Sequence, residues 1–325
     1  MKKVLTLFLI ILLAFIKIEI KASNTHAFIV YDVKNKQVIK GENINTISLI
    51  ASTTKIMTAI IAIEEGNLFD FYKASKEDVE IEGSKVYLTL NERYSLYDLL
   101  HGLMLRSGND CASLIARSVC DYDMFIELMN KKCRELKMLN STFENPSGLD
   151  TLNQNRSTAY DMALLMSYAM ENEVFRAISS THIHKASSVE GTFYKWQNKD
   201  KSVINDERFI AGKTGYTKKS GRVLVNYANT NGRDIVIVTI NDSYDWVNHT
   251  KYLNEISKLK ETIILKKGNY KIENSALIVE VKENVKILTV SNKIDITYEM
   301  YECDKSHLYI YNYNILVKII EIKVR

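Results

Sequence analysis

The strongest local signal in this sequence is a short polar segment that leads directly into an apolar stretch. The segment is Ala-Ser-Thr-Thr-Lys at 51–55, and the stretch continues from Ile56 to Ile63. This pattern predicts a helix with Ser52 in or just before its first turn. Lys55 follows one turn later on the same face, which places an amine beside a hydroxyl. Because the first N–H groups of a helix have no intrahelical partner, the Ser52 hydroxyl can attack a carbonyl while its own N–H stabilises the oxyanion.

Composition excludes some classes of partner. The chain has 325 residues, of which 46% are hydrophobic and 25% are charged, a composition suited to one or two globular domains. The 43 basic and 39 acidic residues leave a net charge of +4. No basic block with interleaved aromatic residues is present, so we expect no nucleic-acid partner.

The N-terminus has the features of a targeting signal. Two lysines precede the apolar run Val4–Ile16, and charged residues then lead to the small pair Ala22-Ser23. The run is shorter than the roughly 20 residues that a bilayer span needs. We therefore predict a signal peptide at 1–22 and an exported protein of the cell wall or the outer face of the cytoplasmic membrane. An uncleaved N-terminal anchor and a buried first strand are the alternatives.

Periodicity predicts alternating helical and extended segments as far as about residue 260. Beyond the helix at Ser52, which should end near Glu65-Gly66, we predict helices at Leu96–Arg106, Cys111–Val119, Met124–Met138, from a cap at Ser157 or Thr158 to Met170, and at Trp246–Leu259. We predict strands at His26–Asp32, Gln37–Lys40, Val86–Leu90, Arg208–Tyr216, Arg222–Ala228 and Asp234–Ile240. Residues 179–205 are polar and poorly periodic, so no element is assigned there.

The C-terminal part has a different pattern. Residues 277–290 alternate around a turn at Glu283-Asn284, and Tyr298–Val324 is rich in Tyr, Ile and Val. These features predict a small all-β domain at 261–325. Because Tyr309–Val324 is typical of strands, we expect no C-terminal membrane helix.

The cysteines show no metal-binding pattern. They are Cys111, Cys120, Cys133 and Cys303, with no Cys-x-x-Cys and no ligand spacing. Three of them lie in predicted helices or directly at the end of one, where a lone cysteine usually packs as a small apolar residue. A disulfide between Cys120 and either Cys111 or Cys133 stays open.

Two further patterns suggest ligand sites that the context does not support. His182 and His184 could form a metal pair, but without a third ligand we interpret them as exposed residues of a polar loop. Gly212-Lys213-Thr214 could belong to a nucleotide-binding loop, but that motif requires glycine where Glu207 stands and a helix where a strand is predicted. We therefore expect no metal and no cofactor.

Three short motifs carry the chemical signal together. They are Ser52-x-x-Lys55, Ser107-x-Asn109 and Lys213-Thr-Gly215. Each is weak alone, but the first opens a helix, the second lies on a turn between helices, and the third lies on a strand before a hairpin. In this order they are the motifs of penicillin-binding proteins and class A β-lactamases.

On these motifs the chain resembles the low-molecular-mass penicillin-binding proteins, which are serine-type D-alanyl-D-alanine carboxypeptidases. The likeness extends through Lys85–Asp110, Phe143–Leu149, Ser157–Ala163 and Gly212–Val225. It implies an α+β fold with a penicillin-binding/β-lactamase-like domain at 23–260, in which helices flank an antiparallel sheet beside a helical subdomain. The small all-β C-terminal domain would follow.

The resemblance implies a carboxypeptidase that removes the terminal D-alanine from peptidoglycan stem peptides and that β-lactam antibiotics acylate. We hypothesise that Ser52 is the nucleophile and that neutral Lys55 accepts its proton. Ser107 would relay that proton to the leaving amine, and Asn109 would orient the substrate amide and Lys55.

The third motif would hold the substrate. We expect Lys213 and Thr214 to bind the carboxylate of the last D-alanine, and Gly215 to keep the strand clear of the substrate. The N–H groups of Ser52 and Tyr216 would form the oxyanion hole.

Three positions depart from the pattern of the family. Ile50 stands where proline is common, Ser147 where histidine is common, and Cys111 where alanine is usual. None of these changes removes a catalytic group.

Three other functions fit the same motifs. A D,D-endopeptidase would cut peptide cross-links with the same site. A β-lactamase would need a deacylating group such as Glu144 in the loop after the second motif. A non-catalytic wall-binding protein would keep the fold without turnover. Peripheral contact with the outer face of the membrane also stays open.

Overall fold

We analysed a computed structural model of the chain, which describes residues 25–150, 154–256, 258–271, 278–289, 296–301, 304–312 and 315–324. The predicted signal peptide at 1–22 and Cys303 lie outside the described residues. The helices are α1 (Lys55–Glu65), α2 (Lys76–Glu80), α3 (Leu96–Arg106), α4 (Asn109–Val119), α5 (Tyr122–Glu135), α6 (Ala159–Ala169), α7 (Glu173–Ser179), α8 (Lys201–Asn205) and α9 (Asp245–Ile256), and a 3-10 turn at Ala51–Thr54 precedes α1.

The strands are β1 (Ala27–Asp32), β2 (Gln37–Glu42), β3 (Ser48–Leu49), β4 (Phe71–Lys73), β5 (Arg93–Ser95), β6 (Arg156–Ser157), β7 (Ile183–Ser187), β8 (Phe193–Gln197), β9 (Phe209–Thr217), β10 (Gly221–Thr230), β11 (Arg233–Ile240), β12 (Lys260–Leu265), β13 (Gly268–Lys271), β14 (Ile278–Val281), β15 (Val285–Thr289), β16 (Ile296–Tyr301), β17 (Asp304–Asn312), β18 (Ile315–Glu321) and β19 (Lys323–Val324).

A five-stranded antiparallel sheet supports the larger part of the molecule. Its strand order is β2-β1-β11-β10-β9, so β9 is an edge strand. Helix α6 packs on one face and α9 on the other. Every residue of β1 is buried because both faces of the sheet are covered, which explains its continuous apolar sequence.

Helix α1 is the centre of the helical subdomain. It packs against α3, α4, α5 and α6. All residues from Lys55 to Ala62 are buried. A helix surrounded on all sides needs apolar residues all round, which accounts for the unbroken run in the sequence. The helix ends at Glu65 with Gly66 as its cap, as predicted.

The antiparallel sheet, its flanking helices and the helical subdomain confirm the predicted fold class. Most predicted boundaries lie within a few residues of the observed ones. Thr158, one of the two predicted caps, accepts a hydrogen bond from the Asp161 N–H at 3.0 Å at the start of α6.

The predicted strand at Val86–Leu90 was wrong, since this segment is irregular. The N–H groups of Val86, Tyr87 and Leu88 donate to the carboxylate of Asp110 at 2.8 to 3.2 Å. A side-chain acceptor therefore replaces the neighbouring strand that these backbone groups would otherwise need.

The segment 179–205 contains a hairpin of β7 and β8 followed by α8, although no element was predicted there. Ala186 and Trp196 point inward, while alternate residues are exposed. His184 lies on β7, half-buried, with Nε2 at 2.6 Å from Asp98 Oδ1. The interpretation as an exposed loop residue was therefore wrong for His184, whereas His182 is exposed.

The described C-terminal residues form short antiparallel sheets around a small apolar core. The strands β14 and β15 flank the predicted turn at Glu283-Asn284, but they do not pair with each other. Strand β14 pairs with β13 and β19, whereas β15 pairs with β12. The domain boundary at 260/261 stays a prediction.

Two expectations concern the membrane and the thiols. Within the described residues, no helix has the length and apolarity that a bilayer span requires.

Cys111, Cys120 and Cys133 are free thiols, so neither of the two disulfides left open by the sequence forms.

A buried glutamine connects the main sheet to the C-terminal strands. The side-chain amide of Gln37 donates to the Leu288 carbonyl and accepts from the Leu288 N–H, both at 3.0 Å. Both residues are buried. The pair resembles one rung of a strand ladder, and it fixes β15 against β2.

Replacing Gln37 with alanine should loosen this connection. The N–H and carbonyl of Leu288 would lose their partner, and a buried unsatisfied group costs about 1–3 kcal/mol. We expect hydrogen exchange at 285–289 to accelerate about tenfold or more. Lys34→Ala, in the exposed turn between β1 and β2, is the control. Unchanged protection of 285–289 in Gln37→Ala would contradict this account.

Candidate active site

The 3-10 turn and α1 bring Ser52 and Lys55 together. Ser52 is half-buried on the turn, and Lys55 begins the α-helix with its side chain fully buried. Lys55 Nζ lies 3.0 Å from Ser52 Oγ. The predicted pairing of amine and hydroxyl therefore exists in the folded chain.

Lys55 has two further partners, and they determine where its lone pair points. Its Nζ lies 2.7 Å from Asn109 Oδ1 and 2.5 Å from the Ser147 carbonyl oxygen. Both of these oxygens can only accept hydrogen bonds. A neutral amine would donate its two N–H groups to them, which leaves the lone pair facing the Ser52 hydroxyl.

The amide of Asn109 has a fixed orientation. Its Nδ2 donates to the Glu82 carbonyl at 2.7 Å, so Oδ1 must face Lys55. The backbone N–H of Asn109 donates to the Ser84 carbonyl, also at 2.7 Å. The loop at 82–84 thereby holds the second motif against the first.

Ser107 lies at the C-terminus of α3 in a left-handed backbone conformation, with φ of +65°. A non-glycine residue in this region stores strain of about 1–3 kcal/mol, and such strain is typical of functional sites. Its Oγ accepts a hydrogen bond from Lys213 Nζ at 3.0 Å. The strained turn thus links the second motif to the third.

The third motif lies on the edge strand β9. Lys213 Nζ also donates to the Thr214 carbonyl at 2.8 Å, so one of its three donors has no partner among the described residues. A Cβ atom on Gly215 would lie 3.1 Å from the Ser52 N atom, a tight contact that glycine avoids. The side chain of Tyr216 is exposed.

Burial shifts the pKa of both amines of the site, and the charge of Lys213 acts on Lys55. Burial is the main cause that lowers the pKa of Lys55 well below its ordinary range, and the positive charge of Lys213 lowers that pKa further. Burial also lowers the pKa of Lys213 to about 7, with a second contribution from the charge of Lys199. The site therefore favours a neutral Lys55 beside a Lys213 that can still carry a proton.

Two contributors were not found by sequence reasoning. Asp110 holds the loop at 86–88 beside the second motif, and its position directly after Asn109 was a signal that went unused. The Ser147 carbonyl completes the surroundings of Lys55. A backbone carbonyl leaves no signature in the sequence, because any residue would supply it.

The three departures from the family pattern leave the polar contacts of the site in place. Ile50 is buried, and its carbonyl accepts from the Thr53 N–H and hydroxyl. Ser147 contacts Lys55 through its backbone, which does not depend on the side chain. Cys111 is fully buried in α4, and its burial raises the pKa of the thiol.

Comparison with known proteins gives concordant results. The chain is 30% identical to a D-alanyl-D-alanine carboxypeptidase of Mycobacterium tuberculosis over 218 residues, which cover 65% of this chain and 72% of the relative. It is 29% identical to a D-alanyl-D-alanine endopeptidase of Haemophilus influenzae over 227 residues, which cover 67% and 75%.

Solved structures agree. A crystal structure of a D-alanyl-D-alanine carboxypeptidase from Mycobacterium tuberculosis matches with a TM-score of 0.66 and 29% identity, over 70% of this chain and 89% of that one. A D-alanyl-D-alanine carboxypeptidase from Francisella tularensis matches over 96% of both chains with a TM-score of 0.70. Its identity is 20%, which shows the likeness of the fold alone.

The family described as D-alanyl-D-alanine carboxypeptidase matches residues 16–244. This range includes all three motifs, whose side chains converge around Lys55 and Lys213. The protein belongs to the D-alanyl-D-alanine carboxypeptidase family.

Proposed function

We propose that this protein is a serine D,D-carboxypeptidase that removes the terminal D-alanine from peptidoglycan stem peptides through an acyl-enzyme on Ser52. The observation that carries the proposal is the buried amine of Lys55, 3.0 Å from Ser52 Oγ. Because burial lowers the pKa of this amine, its neutral form can serve as the general base.

Acylation uses this pair. Lys55 Nζ accepts the hydroxyl proton while Ser52 Oγ bonds to the carbonyl carbon between the two D-alanines. The developing oxyanion is stabilised by the N–H groups of Ser52 and Tyr216. Asn109 keeps Lys55 aligned through Oδ1, because its Nδ2 is already held by the Glu82 carbonyl.

The tetrahedral intermediate then expels the last D-alanine. Its nitrogen needs a proton as the carbon–nitrogen bond breaks, and Ser107 relays the proton taken up by Lys55. The left-handed conformation of Ser107 and its hydrogen bond from Lys213 fix the hydroxyl for this transfer.

The substrate carboxylate binds at the third motif. The remaining donor of Lys213 and the hydroxyl of Thr214 face this group, and an anion favours the protonated form of Lys213. The extended substrate lies along β9, whose edge can pair with a peptide backbone. Water then hydrolyses the acyl-enzyme and regenerates Ser52.

This assignment is favoured over a β-lactamase by the loop that follows the second motif. A β-lactamase would need a group such as the Glu144 carboxylate at the acyl-enzyme. Glu144 is exposed, and the part of its loop that reaches Lys55 is the Ser147 carbonyl.

Endopeptidase activity on cross-linked peptides is the second function to consider. The relative from Haemophilus influenzae that is named as an endopeptidase covers as much of this chain as the carboxypeptidases do. Release of D-alanine from a monomeric stem, compared with cleavage of a cross-linked dimer, separates the two activities.

We propose that the chain is exported after recognition of 1–22 as a signal peptide, and that it acts on the cell wall. Its partners are then stem peptides, with β-lactams as covalent inhibitors. Detection of the N-terminus of the exported protein near Ala22-Ser23 would test this directly.

Ser52→Ala should abolish both release of D-alanine from a stem ending in D-alanyl-D-alanine and covalent capture of penicillin, because the acyl bond forms at Ser52 Oγ. The measurement is amino-acid release together with mass spectrometry of the protein–penicillin adduct. Ser187→Ala, at an exposed position on β7, is the matched control. Adduct formation or turnover by Ser52→Ala would remove this residue from the mechanism.

Lys213→Met should move the acid limb of penicillin acylation to higher pH. The charge of Lys213 lowers the pKa of Lys55, so its loss raises that pKa, and Lys55 becomes neutral only at higher pH. The measurement is the acylation rate constant at saturating penicillin across pH, and the acid limb is expected at higher pH in the variant than in the parent. Lys218→Met, in the exposed turn after β9, is the control. An acid limb that stays in place would disprove the coupling.

A further inference from the structure

Asp200 is a buried acid that the proposed mechanism does not use. It lies between β8 and α8, with a side chain 2% exposed. Its Oδ2 accepts from Asn226 Nδ2 at 2.6 Å, and its Oδ1 accepts from the Ser202 N–H at 2.9 Å. Both oxygens are therefore held in place.

A buried histidine continues this network. His249 Nδ1 lies 2.8 Å from Asn226 Oδ1, and His249 Nε2 lies 3.0 Å from Thr239 Oγ1. Because Asn226 Nδ2 donates to Asp200, the Oδ1 atom accepts, so His249 carries its proton on Nδ1. Burial lowers the pKa of His249 to about 3, which leaves the ring neutral. The carboxylate of Asp200 is thus the charge in this network.

The network lies directly against the strand that carries Lys213. A Cβ atom on Gly212 would lie 2.1 Å from both Asp200 Oδ2 and Asn226 Nδ2. Only glycine lets the strand approach this closely. The carboxylate consequently contacts the backbone immediately before Lys213.

Lys213 otherwise lies among positive or neutral groups. Lys199 lies close enough to lower its pKa, and Asp200 is the acid that raises it. The groups whose charges act on Lys213 are Lys199 and Asp200 after β8, and Lys213 in turn acts on Lys55 on α1. Arg106 acts on Lys199, Cys111 and Asp110 on α4 act on Lys55, and the neutral His249 on α9 is connected to Asp200 through Asn226. The carboxylate of Asp110 accepts hydrogen bonds from the backbone N–H groups of Val86 and Tyr87.

We propose that Asp200 is a positioning residue, which supplies from behind β9 the negative charge that keeps the Lys213 ammonium protonated for binding the substrate carboxylate. This inference rests on the proposed carboxypeptidase function. Asp200 does not touch the substrate, and it acts through Lys213.

The consequence for pH dependence has a definite sign. Burial raises the pKa of Asp200 to about 6, so the carboxylate is charged at the pH where Lys213 begins to lose its proton. Removing this charge lowers the pKa of Lys213, so the alkaline limb of kcat/KM moves to lower pH. Because bound substrate holds Lys213 protonated by its own carboxylate, KM should rise while kcat changes little.

The experiment compares Asp200→Asn with the parent protein and with the control Glu207→Gln. Glu207 is an exposed acid shortly before β9, and its substitution removes the same charge. D-Alanine release from a stem ending in D-alanyl-D-alanine is measured across pH. For Asp200→Asn we expect the alkaline limb of kcat/KM to lie about one pH unit lower than in the parent. At pH 8, KM should rise about tenfold, while kcat stays within about twofold of the parent value. Glu207→Gln should match the parent.

A second variant tests the opposite sign. Lys199→Gln removes the cation that opposes protonation of Lys213, so its alkaline limb should move to higher pH. A profile of Asp200→Asn equal to that of the parent, or an equal loss of kcat at every pH, would overturn the inference. An inactive parent would instead overturn the carboxypeptidase proposal itself.

The proposal stays testable if Asp200→Asn fails to fold. The side-chain carbon of Asp200 can be titrated by NMR in the parent protein. A carboxylate ionised at pH 7 to 8 supports the inference, and a protonated one overturns it.

Discussion

The site depends on a lysine side chain that has no access to water. A fully buried ammonium is costly unless opposite charges or hydrogen bonds compensate it, and at Lys55 burial and the charge of Lys213 lower the pKa more than Asp110 raises it. The neutral amine is therefore the favoured form. Its two carbonyl-type partners, Asn109 Oδ1 and the Ser147 carbonyl, then determine that the free lone pair faces Ser52.

This arrangement explains why several distant segments of the chain meet at the first turn of α1, where Lys55 lies. Lys55, Asn109 and Ser147 belong to three segments of the chain. Asn109 lies 54 residues after Lys55, and Ser147 lies 92 residues after it. Each segment has its own support. The loop at 82–88 is held to α4 by Asn109 and Asp110, and the loop at 144–149 by hydrogen bonds to Asn155. Packing of α1 on all sides excludes water from the amine.

The proposed mechanism gives the two buried lysines opposite roles, and their surroundings differ accordingly. Lys55 is fully buried beside two oxygen acceptors, and the charge of Lys213 lowers its pKa more than Asp110 raises it, which suits a base. Lys213 lies on an edge strand and donates to the Ser107 hydroxyl, and the Asp200 carboxylate lies against the glycine that precedes it. These surroundings suit an ammonium group that binds an anionic substrate. Groups with the same chemistry can thus serve as base and as anion receptor within one site.

Local patterns in the sequence were enough to predict most of the elements and to propose Ser52 and Lys55 as the reacting pair, because the spacing of these residues and the apolar period of α1 do not depend on distant segments. They did not determine the loop at 86–88 or the hairpin of β7 and β8, where contacts with Asp110 and with buried neighbours outweigh local preference. The groups that face the two amines come from distant segments, so they could be identified only in the folded chain. Backbone carbonyls and buried acids act through space, and the distances that give them a role arise only when distant segments meet.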